Sequence, residues 1–281
     1  MHSSTPHSEQ LLVIEPGGRA HHYWYDLWRY RELFLILAWR DVSVRYKQTV
    51  IGLLWALIRP LLTMVVFTII FGRVAGLPSD GPIPYALMVF AGLLPWSLFA
   101  ASINDAANSL IENERLISKV YFPRLIIPAA TIIAALIDLA IGLLLLGIMM
   151  IAYQILPSWQ ILLLPGFLLL AFITSLGPGL WLSALNLKYR DVRYIIPFSI
   201  QIGLYISPVG FSSSVIPEQW RLIYALNPMV GVIDGFRWAL FGGQSPLYWP
   251  GFLISVSVAL LLLWLGVRRF RAMERSLADW V

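Results

Sequence analysis

The 281 residues of this chain are 59% hydrophobic and only 12% charged, and a mean hydropathy of +0.75 lies well outside soluble-protein usage. A soluble Rossmann enzyme, a collagen and a disordered tail protein are excluded, and the composition is that of a chain living in a bilayer. Lys and Arg number 20 against 15 Asp and Glu, a balance of +5 that carries topology before it hints at nucleic acid, and the absence of cysteine excludes disulfides, thiolate nucleophiles, iron–sulfur clusters and cysteine–zinc sites.

In chain order, the opening MHSSTPHSEQLLVIEPGGRA lacks the basic start, continuous apolar stretch and cleavage site of a secretory signal, so residues 1–26 are expected to be a mobile cytoplasmic tail. Residues 27–48, LWRYRELFLILAWRDVSVRYKQ, are too charged to span. On a helical wheel Arg29, Glu32, Arg40, Ser43 and Lys47 share a stripe interrupted only by Ile36, with Leu33, Phe34, Leu37 and Val44 largely away from it. This predicts an amphipathic helix in the inner interface, its basic groups toward anionic headgroups; a cytoplasmic helix packed on the bundle is the alternative.

A crossing helix needs about 20 mainly apolar residues. Six stretches qualify: 51–71, 85–103, 125–152, 161–185, 194–211 and 247–267. The fold class predicted is therefore an all-α integral membrane protein with a six-span domain over 51–267 and a cytoplasmic tail over 268–281. A seventh apolar stretch, 220–241, is opposed by Asn227-Pro228 near its middle, by Asp234 and Arg237, and by the tail arginines it would expose. It reads as a re-entrant helix pair within 216–243, before the last span, entering and leaving by the outer face.

The basic residues fit this topology. Sixteen fall on one side: Arg19, Arg29, Arg31, Arg40, Arg45 and Lys47 before the first span; Arg115, Lys119 and Arg124; Lys188, Arg190 and Arg193; and Arg268, Arg269, Arg271 and Arg275. Only Arg73, Arg221 and Arg237 fall opposite, with Arg59 inside a span, so the positive-inside rule places both termini in the cytoplasm.

No G-x-x-x-x-G-K-[ST] loop occurs, so any ATP must be hydrolysed by another chain. His2, His7, His21 and His22 all precede the first span, which removes H-E-x-x-H metalloproteases and buried histidine proton relays; no metal site is expected. Asp138 in the third span and Asp105 at the inner end of the second are too few carboxylates to favour an ion-coupled transporter.

The runs KYRDVRYIIPFSIQIGLYISPVGF at 188–211 and IPEQWRLIYALNPMVGVIDGFRWALFG at 216–242 resemble the permease subunits of type 2 ABC exporters, particularly those moving O-antigen, teichoic acid or capsular polysaccharide. LAWRDVSVRYKQTVIGLLWALIRPLL at 37–62 and ENERLISKVYFPRLIIPA at 112–129 resemble the same family, so the likeness covers nearly all of the chain after residue 25. It implies a homodimer in the bacterial cytoplasmic (inner) membrane and a separate ATPase dimer on the cytoplasmic face. ATP and magnesium would belong to that partner, with no cofactor in this chain and no catalytic residue. The cargo implied is a polyprenyl-diphosphate-linked glycan; membrane lipids are further partners and nucleic acid is not.

Four groups of site residues follow. Residues 110–122, LIENERLISKVYF, are expected to be a short charged coupling helix bearing Glu112, Glu114, Arg115 and Lys119, stopped by Tyr121, Phe122 and Pro123; the alternative is a solvated loop with anchoring charges. Arg190 and Arg193 guide the carrier diphosphate or serve as positive-inside anchors. Tyr194, Phe198, Gln201, Tyr205 and Pro208 recur at four- and three-residue steps, and Trp55, Arg59, Thr63, Phe67 and Phe71 every four; both stripes are expected to border the conduit at the dimer centre, the alternative being helix packing. Arg59 beside Pro60 should face the bundle interior or water, because lipid exposure costs about 2.5 kcal/mol or more; it contacts cargo or bonds carbonyls freed by the proline. Pro228, Asp234 and Arg237 form an outer gate, with the last two paired on one helical face. A drug or simple-lipid exporter, a membrane glycosyl- or acyltransferase, and a scaffold for a synthase are the competing functions.

Overall fold

The structure, a computed structural model, describes residues 20–47, 52–120 and 122–274, the side chains of 20–22, 24, 52, 53 and 56 aside. Most of the expected N-terminal tail, the end of the C-terminal tail and Tyr121 thus lie outside the described residues. Within them every regular element is helical. α1 (Ala20–Arg29) and α2 (Arg31–Lys47) precede α3 (Gly52–Phe67), which continues as a π-helical turn over Thr68–Val74. α4 (Tyr85–Glu112), the single-turn α5 (Glu114–Ile117), α6 (Ile126–Ala152) and α7 (Leu164–Lys188), entered through a 3-10 turn at Trp159–Leu163, follow. α8 (Val192–Ile206), α9 (Glu218–Tyr224), α10 (Pro228–Leu240) and α11 (Trp249–Glu274) complete the chain.

Among the described residues five helical stretches are long and apolar enough to cross a membrane: Leu57–Val74, Tyr85–Glu112, Ile126–Ala152, Trp159–Lys188 and Trp249–Glu274. The expected fifth span, 194–211, is instead the 15-residue α8, roughly 22 Å long at 1.5 Å per residue. Its early end has a local cause. Ser207 precedes Pro208 and leaves helical geometry at φ −83°, ψ 155°, the extended region that a following proline favours. α4, by contrast, runs nine residues beyond the expected 103, because nothing from Asn104 to Glu112 is a glycine or proline.

α4 is the core of the molecule: Leu87 to Trp96 are buried without a break, against α6, α7 and α10. α7 and α11 cross backbone to backbone, where a Cβ on Gly177 would lie 2.5 Å from the Leu262 carbonyl oxygen. One end of the bundle gathers α1, α2, α5 and the far end of α11, where Arg124 donates from its backbone N–H to Glu274 (2.9 Å) and Tyr23 donates to the same carboxylate. The opposite end gathers α10, the 3-10 turn and the start of α11 around a group of rings: Trp238 stands 6.2 Å from Trp159 and 5.9 Å from Trp249, both edge-on.

The 27–48 helix is broken at Tyr30, and its apolar residues do not form one face. Leu37 and Ala38 are buried against Leu110, Ile117, Ile126 and Ile127, while Leu35, Ile36 and Trp39 point outward with the charges. The helix is held on the bundle on one side and presents both apolar and charged groups on the other.

Candidate functional site

The aromatic stripes converge at one point. On α3 and its π-helical extension, Phe67 and Phe71 meet edge-on with centroids 5.2 Å apart, and Phe67 stands 6.1 Å from Tyr205 of α8. Close approach is possible because Gly210, just past α8, has no side chain; a Cβ there would lie 2.9 Å from Phe67 and 3.0 Å from Phe71. Phe67 is buried, so it packs the helices together instead of offering a free ring, as the packing alternative anticipates. Trp55, Tyr194, Phe198 and Tyr205 are exposed large rings, 49%, 66%, 64% and 56% accessible in the single subunit, and Gln201 is exposed among them. Pro208 is buried and leaves the stripe.

Arg59 is also exposed. Its carbonyl accepts from the Thr63 hydroxyl (2.9 Å), but among the described residues its guanidinium has no partner in the subunit. The proposed bonding to carbonyls freed by Pro60 is not formed. A charge left without an intramolecular partner in an apolar helix requires water, a ligand or another chain beside it.

At the end of the bundle where that aromatic contact meets Gly210, Asp234 and Arg237 are both on α10 and both buried, but they do not pair. Arg237, wholly inaccessible, donates through Nε to the Met88 carbonyl (3.0 Å), through Nη1 to Phe211 (3.1 Å) and through Nη2 to Val209 (2.9 Å). Asp234 accepts from the Ser213 hydroxyl (2.8 Å). The expected ion pair fails because the 207–215 loop brings main-chain oxygens to the guanidinium first. Asn227 caps α10, accepting from the Met229 N–H (3.1 Å) while its amide donates to Ser207 Oγ (2.9 Å), and Pro228 at the first helical position loses no bond by lacking an N–H. Tyr85 donates to the Gly210 carbonyl and Tyr224 to that of Ile206 (2.9 Å). The end is thus closed by short helices stitched to an irregular loop. At about 10 Å and 20 Å, α9 and α10 are each too short to cross about 30 Å of hydrocarbon.

The expected coupling helix over 110–122 is not one helix. Leu110 to Glu112 finish α4, Asn113 breaks the chain at φ −107°, ψ 20°, and among the described residues from there to Pro123 only Glu114–Ile117 is helical. Its anchors and its charges are separate: Asn113 and Ile117 are buried, whereas Glu112, Glu114, Arg115 and Lys119 are all exposed. Asn113 was not signalled by the sequence. Its amide donates to the Ser109 carbonyl (2.8 Å), and its oxygen accepts from Arg40 Nη1 of α2 (2.8 Å). Arg190 lies exposed in the turn between α7 and α8, and Arg193 lies over the Tyr194 ring at 4.8 Å with Nη2 donating to its hydroxyl (2.7 Å).

The two carboxylates noted in the spans have partners that spacing alone does not reveal. Arg45 near the end of α2 contacts Asp138 Oδ2 on α6 (2.7 Å) and Asp105 on α4, and Tyr46 donates to the other oxygen of Asp138. Burial disfavours the Arg45 charge, but the Asp105 and Asp138 carboxylates outweigh it and raise its pKa above the ordinary value. The available signal was the rule that a lone carboxylate in an apolar helix requires a cation.

The family described as ABC-2 type transporter matches residues 32–241. An O-antigen export system permease protein RfbA of Myxococcus xanthus is 27% identical over 258 residues, covering 90% of this chain and 97% of the relative. A protein of the same description from Klebsiella pneumoniae is 29% identical over 242 residues, 83% and 91% of the two chains. The polysialic acid transport protein KpsM of Escherichia coli is 24% identical over 250 residues, 85% and 92%.

Proposed function

The chain belongs to the ABC-2 type transporter family, as a permease homologous to O-antigen export permeases, and we propose that it exports a polyprenyl-diphosphate-linked polysaccharide, such as O-antigen, across the bacterial cytoplasmic membrane. A homodimer of this subunit forms the path, and a separate ATPase dimer hydrolyses ATP. The end carrying α5 is cytoplasmic, with both termini, and the end closed by α9 and α10 faces out as a re-entrant pair; α8 and the 207–211 segment after it together complete a sixth crossing.

The observation that carries this reading is the likeness to polysaccharide permeases over nine-tenths of the chain, 90% in the Myxococcus relative. The residues add a physical rationale. A polymer conduit needs weak, tolerant contacts, and exposed rings such as Trp55, Phe198 and Tyr205 suit the C–H faces of sugars, with Gln201 for hydroxyls. Arg59, Arg190 and Arg193 offer guanidinium forks that match the oxygens of a diphosphate. Glu112, Glu114, Arg115 and Lys119 present exposed charge where the ATPase would dock.

The deciding experiment deletes the chain in its native cell and locates the lipid-linked glycan. Complete glycan accumulating on the cytoplasmic side is the expected result. Unfinished glycan would instead indicate a biosynthetic enzyme and would overturn the assignment.

A further inference from the structure

We propose that Arg45 is a positioning residue that fastens α2 to the inner halves of α4 and α6, so that movement of the coupling segment reaches the transmembrane core through α2. The inference rests on the transport function proposed above and gives a specific task to three charged residues that it leaves idle.

The contacts lie in sequence along one helix. Near its middle, α2 reaches the coupling segment: Arg40 donates to Asn113 (2.8 Å), the residue at which α4 ends and α5 begins. One turn earlier Leu37 and Ala38 are buried against Leu110 and Ile117 on either side of that break. Five residues beyond Arg40, Arg45 bridges Asp138 of α6 (2.7 Å) and Asp105 of α4, while the Tyr46 hydroxyl takes the remaining oxygen of Asp138. A single helix therefore touches the segment expected to receive the ATPase movement and both helices that must respond to it.

The chemistry suits a rigid connection. A guanidinium is planar, and its two terminal nitrogens here hold carboxylates on two different helices, fixing their separation; an ammonium on a flexible stem acts as a point charge and fixes much less. The three side chains are between one-quarter and one-third exposed, so the pairs are neither wholly desolvated nor dissolved in solvent. Simple charge compensation is the competing explanation, and it makes a different prediction. Replacing a whole buried ionic group by neutral residues is often harmless, whereas removing one partner is not. Arg45→Met combined with Asp105→Asn and Asp138→Asn should then behave as the native protein if the charges merely offset each other.

The permease is reconstituted with its ATPase in vesicles, and glycan exported per ATP hydrolysed is measured for the native protein, R45K, R45M and the triple variant. The expected result is ATP hydrolysis persisting while export per ATP falls about tenfold in R45M and in the triple variant, a loss within the usual range of coupling between sites, with R45K between them and the native protein. A second measurement needs no cargo. Because the chain has no native cysteine, spin labels are placed through cysteines at the exposed Trp39 of α2 and Leu144 of α6. Their separation should be the same in nucleotide-free and ATP-trapped complexes of the native protein and should differ between those states in R45M and in the triple variant. Native export per ATP by the triple variant, or a label separation indifferent to Arg45, would overturn the proposal. If R45M fails to assemble, the triple variant decides. A native complex that exports no glycan would refute the transport reading, while the label distances would still judge Arg45.

Discussion

Arg237 donates to three main-chain carbonyls in a place with no solvent access, and removing it would leave all three without their donor. Hydrogen bonds to a charged group contribute about 1.5–3 kcal/mol each, so Arg237→Ala should destabilise the permease by about 4 kcal/mol or more, seen as a lower melting temperature of the purified protein. Arg237→Lys should recover little, because an ammonium cannot reach three oxygens set out for a fork. Arg59 presents the opposite case. Because Arg59 is exposed and has no partner among the described residues, Arg59→Ala should leave yield and melting temperature unchanged while lowering glycan export; unchanged export would remove it from the conduit. The sequence made both arginines visible, since a charge in an apolar stretch is conspicuous. It could not give Arg237 its partners, because main-chain oxygens of the irregular 207–211 loop carry no side-chain signature. The i,i+3 spacing from Asp234 pointed to an ion pair for the same reason: side chains were the only acceptors that the sequence could place.

Among the elements, the long apolar helices were legible from hydropathy, and the break at Asn227-Pro228 was legible from proline chemistry. Helix ends were read less well. α8 stops at Ser207, ahead of Pro208, a signal present in the sequence but outweighed by the apolar run on either side, and α4 continues past 103 because no glycine or proline interrupts it before Asn113. The crossing of α7 and α11 gives an element-scale prediction. Gly177→Val would force a side chain onto the Leu262 backbone, so the pair must separate, and folded protein should be recovered in much lower yield in detergent. The coupling segment predicts the reverse pattern. Its charges are exposed and separate from its buried anchors, so Glu114→Lys with Arg115→Glu should preserve the fold but weaken co-purification of the ATPase.

At the scale of the molecule, α3 and α8 show large apolar residues to the outside, among them Leu62, Val65, Ile69, Ile195 and Ile206. In the proposed homodimer these faces adjoin the second copy and the conduit. A cysteine at Ile195, in a chain that has none of its own, should then give disulfide-linked dimers on oxidation if that position meets its copy; persistent monomer would place this part of α8 against lipid. The ring group at the end closed by α10 has a further consequence. Trp159, Trp238 and Trp249 belong to three separately anchored pieces of chain, yet the spacings of 6.2 Å and 5.9 Å are short enough for neighbouring indole transitions to couple. Any parting of those pieces would uncouple them, so circular dichroism of the unlabelled protein would register it: if the proposed outer gate opens at this end, the permease carries an optical gauge of that movement.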